Sequence, residues 1–504
     1  MAWTHRLLRH GRLAAGVCVA VACGEPVAND SDAPRLTQGL TAAVDKNPDP
    51  HVVELDLVAG PATVEYRRGV KTAVWAYNGT VPGPVVDVAV GDKLVVHFRN
   101  DLPQATTIHW HGIRLPNAMD GVVRVQNPIP PGGTFEYSFV LRDAGLYWFH
   151  PHHRSDEQTY RGLYGVIRVR GTQEPKVDRE DLLVLDDTDL KADGSLSDHV
   201  SDYQKLSEHQ KLHGRTGPDV LVNGQVGRTI DVAAGGVQRL RLVNAANLRY
   251  FNLRVPGHAL RVIGSDGGLF EKPYDAGALA IGPAERYDVL LLPQGQAGQA
   301  IALLSDPYQR SEDDPQAAAA VATLRLAGPA LSGKMLPDAL PGVAVPRLPV
   351  PDGDALLIEF DFGKIGGQEG YNLPPNEHDP VPKQPGDPIF LINKKAGSDI
   401  PPLLVPLGGV RKFKVHNVSH QIHVFHLHGF FFQVVDTDDW YDPKTQPFGL
   451  RKELAAQGHK DTITVREGYS VTIVARFDEP GLWMYHCHIP EHSEHGMMGE
   501  IHVN

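Results

Sequence analysis

Short alternating stretches of apolar and polar residues run along the whole chain, each closed by Gly, Pro, Asn or Asp. The clearest is Gly91-Asp-Lys-Leu-Val-Val-His-Phe-Arg-Asn100. Its apolar positions recur with period two, which predicts a strand with one face buried. The same arrangement returns from Gly235 to Asn244 and from Gly408 to Asn417. Each copy follows an Asn-bearing turn, at Asn78-Gly79, Asn223-Gly224 and Asn393. Three copies spaced by about 150 residues predict three related β-sandwich domains.

The domains are expected at 52–171, 172–328 and 352–504. Between the second and third, Pro329, Pro337, Pro341, Pro346, Pro349 and Pro351 predict an extended linker over 329–351. The polar, irregular segments 191–217 and 364–388 read as long surface loops. With 51 Gly and 40 Pro in 504 residues, the composition agrees with an all-β chain of many turns. The net charge of −12 and the lack of a basic stripe exclude nucleic acid as a partner, because phosphate contacts require Lys and Arg.

The N-terminus changes the expected compartment. Arg6, Arg9 and Arg12 precede an apolar run from Leu13 to Ala22, too short to span a bilayer and followed by Cys23. Residues 1–22 therefore read as a signal peptide, and the mature chain as periplasmic or secreted. Cys23 after Ala20-Val21-Ala22 resembles a bacterial lipoprotein acylation site, a possible lipid anchor; ordinary cleavage is the alternative. Cys18 and Cys23 fall in or at this leader, so the mature fold has one thiol, Cys487, and no disulfide framework.

Histidine carries the candidate chemistry. Four His-x-His pairs occur: His109/His111, His150/His152, His426/His428 and His486/His488. Chance alone gives about one in a chain with this much His. Context is more telling than number. Ile108-His-Trp-His-Gly112 matches Phe425-His-Leu-His-Gly429, and Gly145-Leu-Tyr-Trp-Phe-His-Pro-His152 matches Gly481-Leu-Trp-Met-Tyr-His-Cys-His488. The first and third domains thus offer the same pairs in the same order, whereas the second has none. Residues i and i+2 of a strand share a face, so two such domains packed together would converge eight imidazoles, enough for three copper ions. Zinc, with three or four ligands per site, would leave imidazoles over. Cys487, between His486 and His488, must face the other way. There His423, His492 and Met497 can join it in a His₂Cys set with a weak axial Met, the ligands of a blue electron-transfer copper. Met497 implies a lower potential than an apolar residue would give.

These four segments resemble the copper-binding motifs of the three-domain multicopper oxidases, the family of laccases, cuprous oxidases and bilirubin oxidases. The resemblance covers the chain from about Val52 to its end and implies three cupredoxin-like Greek-key domains. It implies four copper ions. Type 1 would take His423, Cys487, His492 and Met497; type 2 would take His109 and His426; the type 3 pair would take His111, His150, His152, His428, His486 and His488. It also implies a monomer in which a reducing substrate gives electrons at type 1, with Cys487, His486 and His488 as the path to the cluster. Four such electrons reduce O₂ to two waters. Asp120, in Met-Asp-Gly, matches an acidic residue near type 2 and is the expected proton relay; Ser493 stands where several bacterial relatives have a second acid, with Glu494 next.

Donor expectations are small phenols and aromatic amines first, then Cu⁺ or Fe²⁺, entering at a solvent-facing edge of His423 or His492. The chain has only six Met, and a Cu⁺ channel would favour thioethers. A copper-free envelope scaffold is disfavoured by the complete ligand set, and a two-domain nitrite reductase by the third domain. His153, adjacent to His152, is expected on the opposite face. His416, His420, His459, His495 and His502 read as surface or loop residues, Met498 as packing, and Trp148, Phe149, Trp483 and Tyr485 as core around the ligands.

Overall fold

The computed structural model describes residues 35–36, 38–197, 203–311, 314–340, 342–367, 384–442, 444–446, 448–454 and 458–504. The leader and Cys23 lie outside the described residues, as does most of 364–388.

The expected all-β class holds. Among the described residues, six larger sheets build three cupredoxin-like β-sandwiches. In the first, Val70–Tyr77, Val52–Arg67, Lys93–Asn100 and Thr134–Val140 face Val86–Ala89, Gly165–Arg170, Gly145–His150 and His109–His111. In the third, Pro388–Ile392, Leu356–Lys364, Val410–Asn417, Ser470–Arg476 and Phe432–Thr437 face a sheet ordered Leu403–Val405, Met498–Val503, Gly481–Cys487, His423–Leu427 and Thr462–Val465. The second sandwich lacks the His-x-His strands and contributes structure of another kind to the site.

The triplicate sequence motif is a triplicate structural device. Lys93–Asn100, Gln238–Asn244 and Val410–Asn417 each run parallel to the opening strand of their domain. Each follows a glycine at positive φ, Gly91, Gly235 or Gly408. Each ends in a fully buried Asn. Asn100 donates to Gln104 O and Ile129 O, Asn244 to Arg249 O and Ile281 O, and Asn417 to Gln421 O and Val465 O. A side-chain amide thus satisfies backbone carbonyls where the strand leaves its sheet. The turn residues Asn78, Asn223 and Asn393 are equally alike. All have φ near +50° and tie back to the opening strand through Val58, Val184 and Glu359.

Two expectations need revision. The Pro-rich stretch is not a bare tether: Leu340 is buried with Val237, Ile263 and Leu290, and Arg261 Nη1 donates to Leu336 O and Pro337 O. Nor is 191–217 only a surface loop. It contains a helix, Glu208–His213, closed at its start by a Ser207/Gln210 capping box. Lys211 and His213 of that helix, Leu206 before it and Arg215 after it are buried.

Candidate metal centre

The His-bearing strands pair in the same register in the two domains. His109 lies opposite His150 in the first, and His426 opposite His486 in the third. Glycine closes each pair for a steric reason. Gly112 sits at φ +82°, where a Cβ would collide with Asp461 and Arg286; Gly429, at φ +69°, backs onto the Trp483 ring.

All eight paired histidines are buried and come together. The His111 and His426 rings stack at 3.8 Å and those of His109 and His428 at 3.9 Å, both across the domain boundary. Nitrogen meets nitrogen at close range: His428 Nε2 is 2.9 Å from His486 Nε2, His152 Nε2 is 3.3 Å from His486 Nε2, and His150 Nε2 is 3.4 Å from His488 Nε2.

The hydrogen bonds on the far side of the rings fix which nitrogens face inward. His109 Nδ1 donates to Asp120 O, His150 Nδ1 to Pro151 O, His426 Nδ1 to Asp461 O, His486 Nδ1 to Cys487 O and His428 Nδ1 to Asp120 Oδ2. Carbonyls and carboxylates accept, so these Nδ1 atoms carry the protons and each Nε2 presents a lone pair. Lone pairs such as those of His428 and His486, held 2.9 Å apart, repel unless a cation lies among them. His109 Nε2, His111 Nδ1, His426 Nε2 and His488 Nδ1 are buried without a hydrogen-bond partner. Burial pushes the imidazolium forms out of reach, with His486 lowered to about 4 and His111, His150, His152, His426, His428 and His488 well below the ordinary range. Neutral, pre-aimed imidazoles fit metal ions.

The second group lies on the opposite face of the same strand. Cys487 Sγ is 3.5 Å from both His423 Nδ1 and His492 Nδ1, which are 3.1 Å apart. His492 Nε2 donates to Leu212 O at 3.1 Å, and His423 Nε2 meets Ser419 Oγ at 2.8 Å, which leaves both Nδ1 atoms toward sulfur. Val424 N–H donates to Sγ, Met497 is buried beside the loop, and Phe390 stacks on His492 at 4.0 Å. Here the expected solvent-facing edge is absent: His423 and His492 are both 0 % exposed. The Glu208–His213 helix of the second domain covers them through Leu212.

Burial pushes the Cys487 thiol up to about 12, while His423 falls to about 3. A thiolate at neutral pH therefore needs a cation beside it, and metal binding must expel the thiol proton. Titrating the metal-free protein with copper should show one proton released at this site. Apparent affinity should rise about tenfold per pH unit through the neutral range, because His423 and His492 are already neutral there. Affinity independent of pH would mean that the thiol is ionised beforehand.

Of the remaining sequence candidates, Asp120 is 1 % exposed and touches two cluster histidines, with Oδ1 3.2 Å from His109 Nδ1 and Oδ2 at His428. Glu494 Oε1 instead accepts from the Ser155 N–H and hydroxyl. His153 is buried but joins none of the metal-capable clusters among the described residues. His495 is not a surface residue: it is fully buried, donates to Glu491 O at 2.7 Å and stacks on Tyr203.

Sequence reasoning missed Asp461 and Arg286. Asp461 Oδ1 lies 3.0 Å from His111 Nε2, and its carbonyl holds His426. Arg286, from the second domain, grips Asp461 through both Nη atoms. Asp461 sits in an alternating Lys-Asp-Thr run that looks like any strand entry, and nothing local marks Arg286.

Two sandwiches that converge eight imidazoles, with a second group in which a thiol on one of the His-bearing strands meets two further histidines, define a cupredoxin-type protein built to hold metal ions. Multicopper oxidase domain profiles match residues 59–174, 195–329 and 374–504, together most of the chain. Multicopper oxidase MmcO of Mycobacterium tuberculosis is 29% identical, over 98% of this chain and 96% of its own. A laccase of Bacillus stratosphericus is 26% identical, over 86% and 91%. Among solved structures, a Campylobacter jejuni multicopper oxidase described as a metallo-oxidase superposes with a TM-score of 0.74 at 29% identity, covering 92% of this chain and 94% of that one. The chain belongs to the multicopper oxidases, oxidoreductases that use copper and O₂.

Proposed function

We propose that this chain couples one-electron oxidation of a reducing substrate at a four-copper site to reduction of O₂ to water. The observation that carries the reading is the single strand Gly481–Cys487 and its continuation. It turns the Cys487 sulfur to one imidazole pair and the flanking His486 and His488 to the eight-imidazole cluster. When bound, copper would supply electron acceptance at the sulfur site and four-electron reduction of O₂ at the cluster. His423, Cys487 and His492 would hold the first ion, with Met497 as a further candidate ligand. The other eight histidines would hold three. Cys487 is covalently continuous with His486 and His488, so its backbone is the shortest bonded route between the groups. The leader supports export to the periplasm or beyond, with Cys23 as a candidate anchor.

Two donor classes suit such a site, aromatic reductants and metal ions. Because the Glu208–His213 helix buries His492, a donor must act through the protein surface, not stack on a bare imidazole. That favours a small ion over a phenol. Copper content by mass, with absorption and spin-resonance spectra, should give four ions including one blue centre. Oxygen uptake on a phenol, an aromatic amine, Cu⁺ and Fe²⁺ then ranks the donors. A fully copper-loaded sample that consumes no O₂ with any of them refutes the reading.

Asp120 holds the proton role. Its Oδ2 accepts from His428, while Oδ1 is buried without a hydrogen-bond partner beside His109, open to a proton or a water at the cluster. Asp120→Asn keeps the shape and removes the base. Turnover should fall by about 10²–10⁴-fold with copper content unchanged. A loss smaller than twofold would remove Asp120 from the proton path.

A further inference from the structure

Two short helices meet beside the cluster, one from each His-bearing domain. Ser155–Tyr160 opens just after His150/His152, and Pro490–Glu494 just after His486/His488. A small cavity between them is lined by His150, His152, His486 and His488 as well as by Ser155 and Asn247. The cross-domain nitrogen pairs His150–His488 and His152–His486 therefore lie at this seam. The second domain fills it. Arg215 is fully buried and donates from one atom, Nη1, to Asp156 Oδ2 of the first helix at 2.9 Å and to Glu491 Oε1 of the second at 2.7 Å. Asn247 repeats the bridge: its Nδ2 donates to Asp156 O at 2.9 Å and reaches Glu491 Oε1 at 3.4 Å. Gly214, at φ +111°, permits the close approach, since a Cβ there would stand 3.1 Å from both Glu491 Oε2 and Ile489 Cγ2.

We propose that Arg215, supported by Asn247, is a positioning residue that sets the spacing of the cross-domain imidazole pairs, and so the separation of the two metal ions those pairs would hold. A buried guanidinium with two carboxylates is a poor source of stability. Their attraction barely repays the cost of taking the charges out of water, and apolar side chains of similar volume often do as well. What the group supplies is register. One nitrogen can bond both carboxylates only when the two helices stand at one separation. Each helix follows its His pair with no more than two residues between, so a shift of the seam moves His152 and His488 directly. Two ions that act together on one small molecule need a fixed separation. Arg215 acts through the helices, and the inference rests on the oxidase reading for what the paired ions do.

The test counts unpaired spins in copper-loaded protein. Two oxidised copper ions held close together couple and drop out of the spin-resonance spectrum, so detectable copper should fall short of total copper in the parent. Arg215→Met should keep its copper, raise the detectable share, and lower kcat for O₂ uptake by about 10–100-fold with the donor KM unchanged. Arg215→Lys, which returns a cation of nearly the same reach, should restore part of the coupling. Asn247→Ala strands no charge and should move the spin count the same way by less; it carries the test where Arg215→Met does not fold. An unchanged spin count in fully loaded Arg215→Met, or in Asn247→Ala where the first does not fold, overturns the spacing role. So does loss of cluster copper in both variants, which would make the seam a matter of folding alone. A parent whose copper is entirely spin-detectable overturns it too, there being no pair to space. A loaded parent that consumes no O₂ refutes the oxidase reading instead, and leaves the spin counts to judge the seam.

Discussion

Cys487→Ser should abolish both the blue absorption and turnover while leaving most of the cluster copper bound. The reason is the two-faced strand. A Ser oxygen cannot supply the soft, charge-donating thiolate on which a blue centre depends. The two sulfur-site histidines that remain have their Nε2 atoms tied to Leu212 and Ser419 and cannot rearrange into a replacement. The cluster loses no ligand. His486 and His488 keep their places because the strand is pinned by pairing with His423–Leu427 on one side and Met498–Val503 on the other. Copper quantitation would fall by about one ion per chain by the ligand count, and oxygen uptake would drop to background with every donor. A variant that keeps its blue band would place the chromophore elsewhere. One that loses all its copper would show that the sulfur site organises the cluster.

Much of this was legible in the chain because it is encoded locally. Period-two alternation and the Gly-to-Asn repeats fixed three β-sandwiches, since strand polarity and turn chemistry are properties of neighbouring residues. The His-x-His pairs were legible for the same reason: spacing by two sets the face, and the Gly after each pair answers a close contact that only the fold reveals. The contribution of the second domain was not legible. Its lack of His-x-His strands left it with no expected ligand, yet Leu212 orients His492 and Arg286 reaches Asp461 across a sequence separation of 175. Such pairings leave no periodic trace. The covered sulfur site escaped notice likewise, because a six-residue helix in a polar stretch carries too few apolar positions to announce that it packs. His495 looked like one more polar residue after the ligand loop; its burial follows from the turn that brings His492 and Met497 back to Cys487.

Arg286→Met should destabilise the protein by about 3–5 kcal/mol and reduce the copper held by the cluster. Arg286 is fully buried at the meeting point of the three sandwiches. Its Nε donates to Leu146 O in the first and its Nη atoms bind Asp461 in the third, while its own N–H donates to Asp266 in the second. Asp266 Oδ2 in turn accepts from the Asp461 and Thr462 N–H groups and lies 3.2 Å from Lys460 Nζ, which is 3.2 Å from Glu285. Burial pushes the Asp461 carboxyl up, and Arg286 is the cation that opposes this most. Without it, Asp461 either stays charged and unpaired or takes up a proton. Protonation would change its contact with His111 Nε2 and loosen the ring whose other nitrogen faces the cluster. The thermal midpoint of the metal-free protein should drop by about 3–5 °C. Asp461→Asn added to Arg286→Met should recover part of the loss, because it removes the stranded charge, whereas two independent sites would simply add. A single variant that is as stable as the parent and fully copper-loaded would show that the three sandwiches hold the cluster without this bridge.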